Sequence, residues 1–176
     1  MPRRRVVRRL LVLLLVGLPP WTVIRWTNPG GSVGYDSYFA YGLGTLFGPL
    51  GRHFTLLPTY LDHAVVTTYW QQAWPTGAFL YACALASVAL GLIGREDRRV
   101  TAGLLGMAGA AELLHAVGLV HHNPRLLVLP IGTVLLWGVA LARYRDALRR
   151  SSSSARKRRI EPTPVRLTRA RSTTRI

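Results

Sequence analysis

Glu112 and His115 are the two side chains of this 176-residue sequence best placed to do chemistry. They stand three residues apart in the apolar run Thr101 to Val120, a spacing that puts both on one face of a helix, and His122 extends the same stripe. Glu-x-x-His on a bundle helix is the spacing of di-iron carboxylate proteins, but those centres need the motif twice and two further glutamates. No other carboxylate lies within an apolar run, so a full di-metal centre is excluded within one chain. Three readings are left. Glu112 and His115 could form a catalytic or proton-transport pair. His115 and His122 could hold a single metal ion with help from His53 or His63. Or the pair could be structural, hydrogen-bonding between helices. By helical rise, Tyr81, Cys83 and Thr133 lie level with the pair and are its expected partners. The structural reading is preferred, and it assigns no catalytic residue, no metal and no cofactor.

The elements that must position this pair are set by charge and hydropathy. All but three of the twenty-three cationic side chains (Arg25, Arg52 and Arg125 are the exceptions) fall in the first nine residues, in the turn Gly94 to Val100, or after Ala142. Runs such as Leu10 to Leu18, Gly77 to Ile93 and Leu126 to Ala142 are apolar all round, whereas a soluble amphipathic helix keeps a polar face. Arginines gather on cytoplasmic flanks, and a span needs roughly twenty residues for a core of about 30 Å. The expectation is therefore an all-α membrane protein with four transmembrane helices, over about 6–24, 76–93, 101–120 and 126–142, multi-pass in the cell membrane with both termini cytoplasmic.

Residues 1–150 then form a membrane domain, in which 25–75 is a partly ordered outer segment. Within it Phe39, Tyr41, Leu43, Thr45 and Phe47 alternate with smaller residues, a period of two that predicts a short extended piece. Pro58 opens an interfacial helix carrying Tyr60, Leu61, Ala64 and Val65, with Tyr69, Trp70 and Trp74 as interface aromatics. Small residues Ala102, Gly106 and Ala110 offer a close-packing face to a helix of this chain or of a second copy. Residues 151–176 are too polar and cationic to bury a core and read as a disordered tail.

The sequence contains no Gly-x-Ser-x-Gly elbow, phosphate loop or His-Glu-x-x-His motif. Cys83 is the single cysteine, which excludes a disulfide framework and a thiolate metal cluster. The formal charge of +16 invites a polyanionic partner. Yet the tail interleaves no aromatic to stack on bases, which weighs against nucleic acid; the preferred reading is a solvated orientation signal, with contact to anionic lipid as the alternative. Arg3 to Gly17 has the make-up of a secretory signal, but it runs into Pro19, Pro20 and Trp21 with no small-x-small site and reads as an uncleaved anchor.

Pro20-Trp21-Thr22-Val23, Leu57-Pro58-Thr59-Tyr60-Leu61, Trp74-Pro75, Leu85-Ala86-Ser87 and the long turn Gly94-Arg95-Glu96-Asp97-Arg98-Arg99-Val100-Thr101-Ala102-Gly103-Leu104-Leu105 resemble a small family of uncharacterised haloarchaeal membrane proteins. The resemblance covers Leu10 to Ala142 and implies an archaeal four-span protein with no assigned activity. Glu112 and His115 lie outside its motifs. The leading expectation is a non-enzymatic structural or accessory membrane protein; the alternative is a membrane-embedded enzyme or transporter using Glu112 and His115.

Overall fold

The structure, a computed structural model, describes residues 2–28, 30–47, 52–63 and 68–144. The expected tail over 151–176, the His63 side chain, and Ala64 and Val65 of the expected interfacial helix lie outside the described residues. The chain begins with helix α1 (Pro2–Gly17). Strands β1 (Thr22–Thr27), β2 (Val33–Tyr38), β3 (Gly42–Phe47) and β4 (His53–Leu56) come next. Then come helices α2 (Leu57–His63), α3 (Tyr69–Leu90) and α4 (Arg98–His122). Strand β5 (Leu127–Leu129) leads into α5 (Ile131–Tyr144).

The strands form one antiparallel sheet in the order β4-β3-β2-β1-β5. This overturns the all-α, four-span expectation, and the reason is local. Pro19 and Pro20 come just after the end of α1 at Gly17, because proline supplies no N–H to continue a helix. The β-branched run Thr22-Val23-Ile24 then extends as a strand instead of completing a span. At the other end of the chain, Leu127–Leu129 pairs with Val23, Ile24 and Arg25, and α5 starts only after Pro130. Two helices, Tyr69–Ile93 and Arg98–His122, are long and apolar enough to cross a membrane. The sheet takes the residues that would have lengthened the other two.

α3 starts several residues earlier than Pro75 suggests. The side-chain carbonyl of Gln71 receives the backbone N–H and the hydroxyl of Thr68, and the N–H groups of Gln71 and Gln72 reach back to the Thr68 carbonyl. This organises a first turn, and Pro75 rides inside the helix it was expected to open. α3 ends in a tight turn over Gly91–Ile93, and Gly94, at φ +79°, supplies the left-handed residue that turns the chain back. The Asp97 side chain accepts the Arg99 N–H at 2.8 Å and caps α4.

α3 and α4 are antiparallel. Ser87 bonds Thr101 near one end, Gly77 lies against Ala108 and Ala111 at the middle, and Trp70 sits on Gly118 at the other end. Of the expected Ala102-Gly106-Ala110 face, Ala102 is buried in the core, the Gly106 carbonyl faces α5 and Ala110 is exposed; Gly77, Ala84 and Ala108 are further small residues buried along these helices. α1 packs on α3 through the Tyr81 hydroxyl, which donates to the Leu13 carbonyl. α5 packs on α4 through Thr133 and Trp137, which donate to the Gly109 and Gly106 carbonyls. Leu13, Trp21, Val88, Leu105, Leu136 and Tyr144 form the core between these helices. The Arg9–Glu96 pair at 2.9 Å, with Arg9 also 5.8 Å from the Tyr144 ring centre, ties the middle of α1, the α3–α4 turn and the end of α5 together. The sheet meets the helices toward the end opposite the α3–α4 turn.

Candidate functional site

The sheet face that meets α3 and α4 is set by register. Thr22 lies opposite Tyr38, so both side chains leave the same face. Thr22 reaches Glu112 and Tyr38 packs against His115 and Trp74. Further along the sheet, Asp36 accepts from the Trp26 indole at 3.0 Å and from the Thr45 hydroxyl at 2.8 Å. The sheet thus brings polar side chains of its own down onto α4.

Glu112 is fully buried. Its Oε2 accepts from the Thr22 hydroxyl at 3.2 Å. Its Oε1 has no hydrogen-bond partner among the described residues and lies over Gly77, where an added Cβ would stand 3.0 Å away. His115, 2% exposed, places Nδ1 3.0 Å from the Trp70 carbonyl. A carbonyl can only accept, so Nδ1 carries the proton, and Nε2 is left without a partner among the described residues. Tyr38 meets the His115 ring edge-on at 4.8 Å, and Trp74, wholly buried, meets Tyr38 at 4.9 Å and Tyr60 at 5.1 Å. The Trp74 indole donates to the Phe39 carbonyl at 2.9 Å. Burial holds the Tyr38 phenol well above its ordinary range, and Tyr60 and the Asp36 carboxylate add to this, so Tyr38 stays protonated.

The structure places the sequence-derived candidates differently from their expected grouping. Tyr81 and Thr133 bond backbone carbonyls of Leu13 and Gly109 and not Glu112. The partner of Glu112 is Thr22, ninety positions away, which no spacing along the chain could reveal. Trp70 packs against both His115 (6.3 Å) and His122 (5.6 Å), so an indole occupies the ground between two imidazoles that a mononuclear metal would have to share. His53 bonds Thr55 on the exposed β4 edge, and His121 faces an apolar groove with Leu113, Val117, Val128 and Pro130. Among the described residues no group of three or more His, Cys, Asp or Glu side chains is placed to hold a metal ion.

Among the described residues, open apolar grooves on the bundle include one of about 360 Å³ between α4 and β5 and one of about 300 Å³ between α1, α3 and Tyr41. Neither is lined by Glu112 or His115. The pair is buried at the helix–sheet junction, where a carboxyl and an imidazole pin α4 to β1 and to the start of α3. No curated protein matches the sequence. One family model does, spanning residues 1–154 and leaving the last part of the basic tail outside. The chain belongs to that family, DUF8050, a domain of unknown function.

Proposed function

We propose that the chain is an integral membrane protein with a non-enzymatic, accessory role, in which α3 and α4 cross the bilayer, α1 and α5 pack beside them, and the sheet forms a folded cap on the side away from the cytoplasm. The observation that carries this reading is the outer surface of the helices. Leu15 and Leu18 at the end of α1, Phe79 on α3, Met107 and Val117 on α4, and Val134 and Leu141 on α5 are all more than half exposed. Soluble monomers seldom present so continuous an apolar surface. The apolar windows of the two long helices are only 28% and 44% buried, unlike the core helix of a soluble protein. Each spans 25 residues, roughly 37 Å of helix, enough for the hydrocarbon core. Arginines of α1, the α3–α4 turn and α5 lie at one end, which the positive-inside rule assigns to the cytoplasm.

Cysteine labelling tests the topology. In a Cys83→Ser background, Ser32→Cys in the β1–β2 loop should react with a membrane-impermeant maleimide on intact cells, and Arg95→Cys only after permeabilisation. Labelling of both from the same side, or recovery of the protein in the aqueous phase without detergent, would refute the proposal.

The role of Glu112 separates an accessory protein from an enzyme or transporter, whose support is that Glu112 Oε1 and His115 Nε2 have no hydrogen-bond partner among the described residues. Glutamine keeps an oxygen for the Thr22 hydroxyl, so Glu112→Gln should cost about 1 kcal/mol or less in detergent unfolding. Glu112→Ala, which strands that hydroxyl and opens a void, should cost roughly 2–4 kcal/mol. In cells, Glu112→Gln should match wild type in every phenotype that deletion of the gene produces. Loss of function at unchanged protein level would establish the enzyme or transporter reading instead.

A further inference from the structure

The end of the bundle away from the sheet carries arginines that hold no element of the fold together. Arg8 comes from α1, Arg95 from the α3–α4 turn, Arg98 and Arg99 from the first turn of α4 and Arg143 from the last turn of α5, and all are exposed. Among the described residues two acids share this end, and both are engaged. Glu96 holds Arg9, and Asp97 caps α4. Beneath the arginines sits Tyr144, 2% exposed, with Arg9 over its ring. Arg9, Arg98, Arg143 and Glu96 all lie near enough to act electrostatically on its phenol. Its hydroxyl has no hydrogen-bond partner among the described residues.

A buried hydroxyl is seldom left without an acceptor. Here the missing acceptor would lie beside Glu96, whose carboxylate is already held by Arg9, and near Arg98 and Arg143, whose charges have no such partner among the described residues; an anionic oxygen answers both those cations and the hydroxyl, and a phosphate group presents several. The apolar flanks of the helices run right up to this point: Val7 on α1 and Leu141 on α5 are exposed within a turn of Arg8 and Tyr144. A phosphate held here would have acyl chains lying along those flanks.

We propose that the cationic end of the bundle is a binding site for the phosphate of an anionic lipid headgroup, seated where α1, the α3–α4 turn and α5 meet, with Arg98 and Arg143 as its cationic walls and the Tyr144 hydroxyl as a donor. The site rests on the membrane reading of the chain. It is separate from any attraction of the tail, and it gives the arginines a ligand beyond their role in orientation.

The test is thermal unfolding of the full-length protein in mixed micelles containing phosphatidylglycerol or phosphatidylcholine. Phosphatidylglycerol should raise the midpoint by several degrees over phosphatidylcholine, as expected of a ligand bound by the folded state alone. The concentration giving half the shift should rise about thirty-fold in Arg98→Gln/Arg143→Gln, the effect of removing two cations near a headgroup. It should rise several-fold in Tyr144→Phe, which keeps the ring and loses the donor. Arg125→Gln, at the sheet end, should change nothing, and inorganic phosphate at equal concentration should give no shift. Every variant keeps the tail, so its cations contribute equally throughout.

The proposal is overturned if phosphatidylglycerol is no better than phosphatidylcholine, if Arg125→Gln weakens it as much as the double variant, or if Tyr144→Phe binds like wild type. It is equally overturned if inorganic phosphate matches the lipid, which would make this a free-anion site. Should the lipid preference be absent while the protein still requires detergent, the site falls and the membrane reading stands. A protein that stays monodisperse without detergent removes both.

Discussion

Trp74→Ala should destabilise the protein by about 3–5 kcal/mol, the usual cost of removing a fully buried indole. The loss should also be uneven. Trp74 leaves α3 and donates to the Phe39 carbonyl in the β2–β3 turn, while Tyr38 and Tyr60 close edge-on around it. It is the main side chain through which α3 holds the far half of the sheet. Hydrogen exchange should therefore show β2–β3 ladder amides losing protection well before those of α3 and α4. Trp74→Phe keeps the ring contacts and strands one carbonyl, so it should cost about 1–2 kcal/mol. If the alanine variant loses sheet and helix protection together, the cap and the bundle unfold as a single unit and the uneven part of this expectation fails.

Hydropathy makes the two long helices readable because an all-round apolar run of about eighteen or more residues has few other uses. It hides the strands at the borders of the outer two runs. Thr22-Val23-Ile24 and Leu127-Val128-Leu129 are apolar and contiguous with helical runs, so a window average merges each strand with its neighbouring helix. The prolines mark the change of element. Pro20 and Pro130 each stand at a junction between helix and strand, where a missing donor does least harm. The pairing of β1 with β5 joins Ile24 to Val128, and no local pattern reports a contact across such a distance. The short alternating segment around Leu43 is more legible because its period of two persists in β3, within a stretch free of competing hydropathy.

The same gap explains the candidate site. Glu112 and His115 are visible from sequence because ionisable groups inside apolar runs are rare and must be satisfied. The hydrogen bonds they do make come from Thr22 and the Trp70 backbone, and Tyr38 packs on the imidazole, each brought in by the sheet or by the early start of α3. Sequence could identify the demand and not the supplier. The tryptophans add a second contact that position does not report. Trp70, read from sequence as an interface aromatic, seats on a glycine, as do Trp26, Trp137 and Trp21, at Gly118, Gly34, Gly109 and Gly132 respectively, so closely that a Cβ there would stand 2.1 to 2.6 Å from the tryptophan. Tryptophan on glycine is a packing device here: the missing side chain lets the ring, or at Gly132 the Trp21 Cβ and backbone, approach the backbone of a neighbouring element.

The Trp21 and Gly132 pair puts that device to a test at the joint between sheet and bundle. Trp21 is fully buried at the exit from α1, with its indole donating to the Val16 carbonyl at 3.1 Å and its ring edge-on to Tyr81 at 5.0 Å. Its backbone is pinned from both sides: its N–H donates to Tyr38 and its carbonyl accepts the Gly132 N–H. Trp21→Ala should cost about 3–5 kcal/mol, as large a loss as at Trp74. Gly132→Ala should cost about 1–3 kcal/mol, because the new Cβ would meet the Cβ and the Cα of Trp21 at 2.6 and 3.0 Å. Trimming the ring leaves those two atoms in place, so Trp21→Ala should not rescue Gly132→Ala. At Gly109 the three nearest atoms to the added Cβ all belong to the Trp137 ring, and there Trp137→Leu should recover most of the loss from Gly109→Ala. Double-mutant cycles of thermal unfolding in detergent distinguish the two sites. Rescue at Gly132 equal to that at Gly109 would mean that β1 is free to shift against α5, and the pinning of the sheet to the bundle through Trp21 would be disproved.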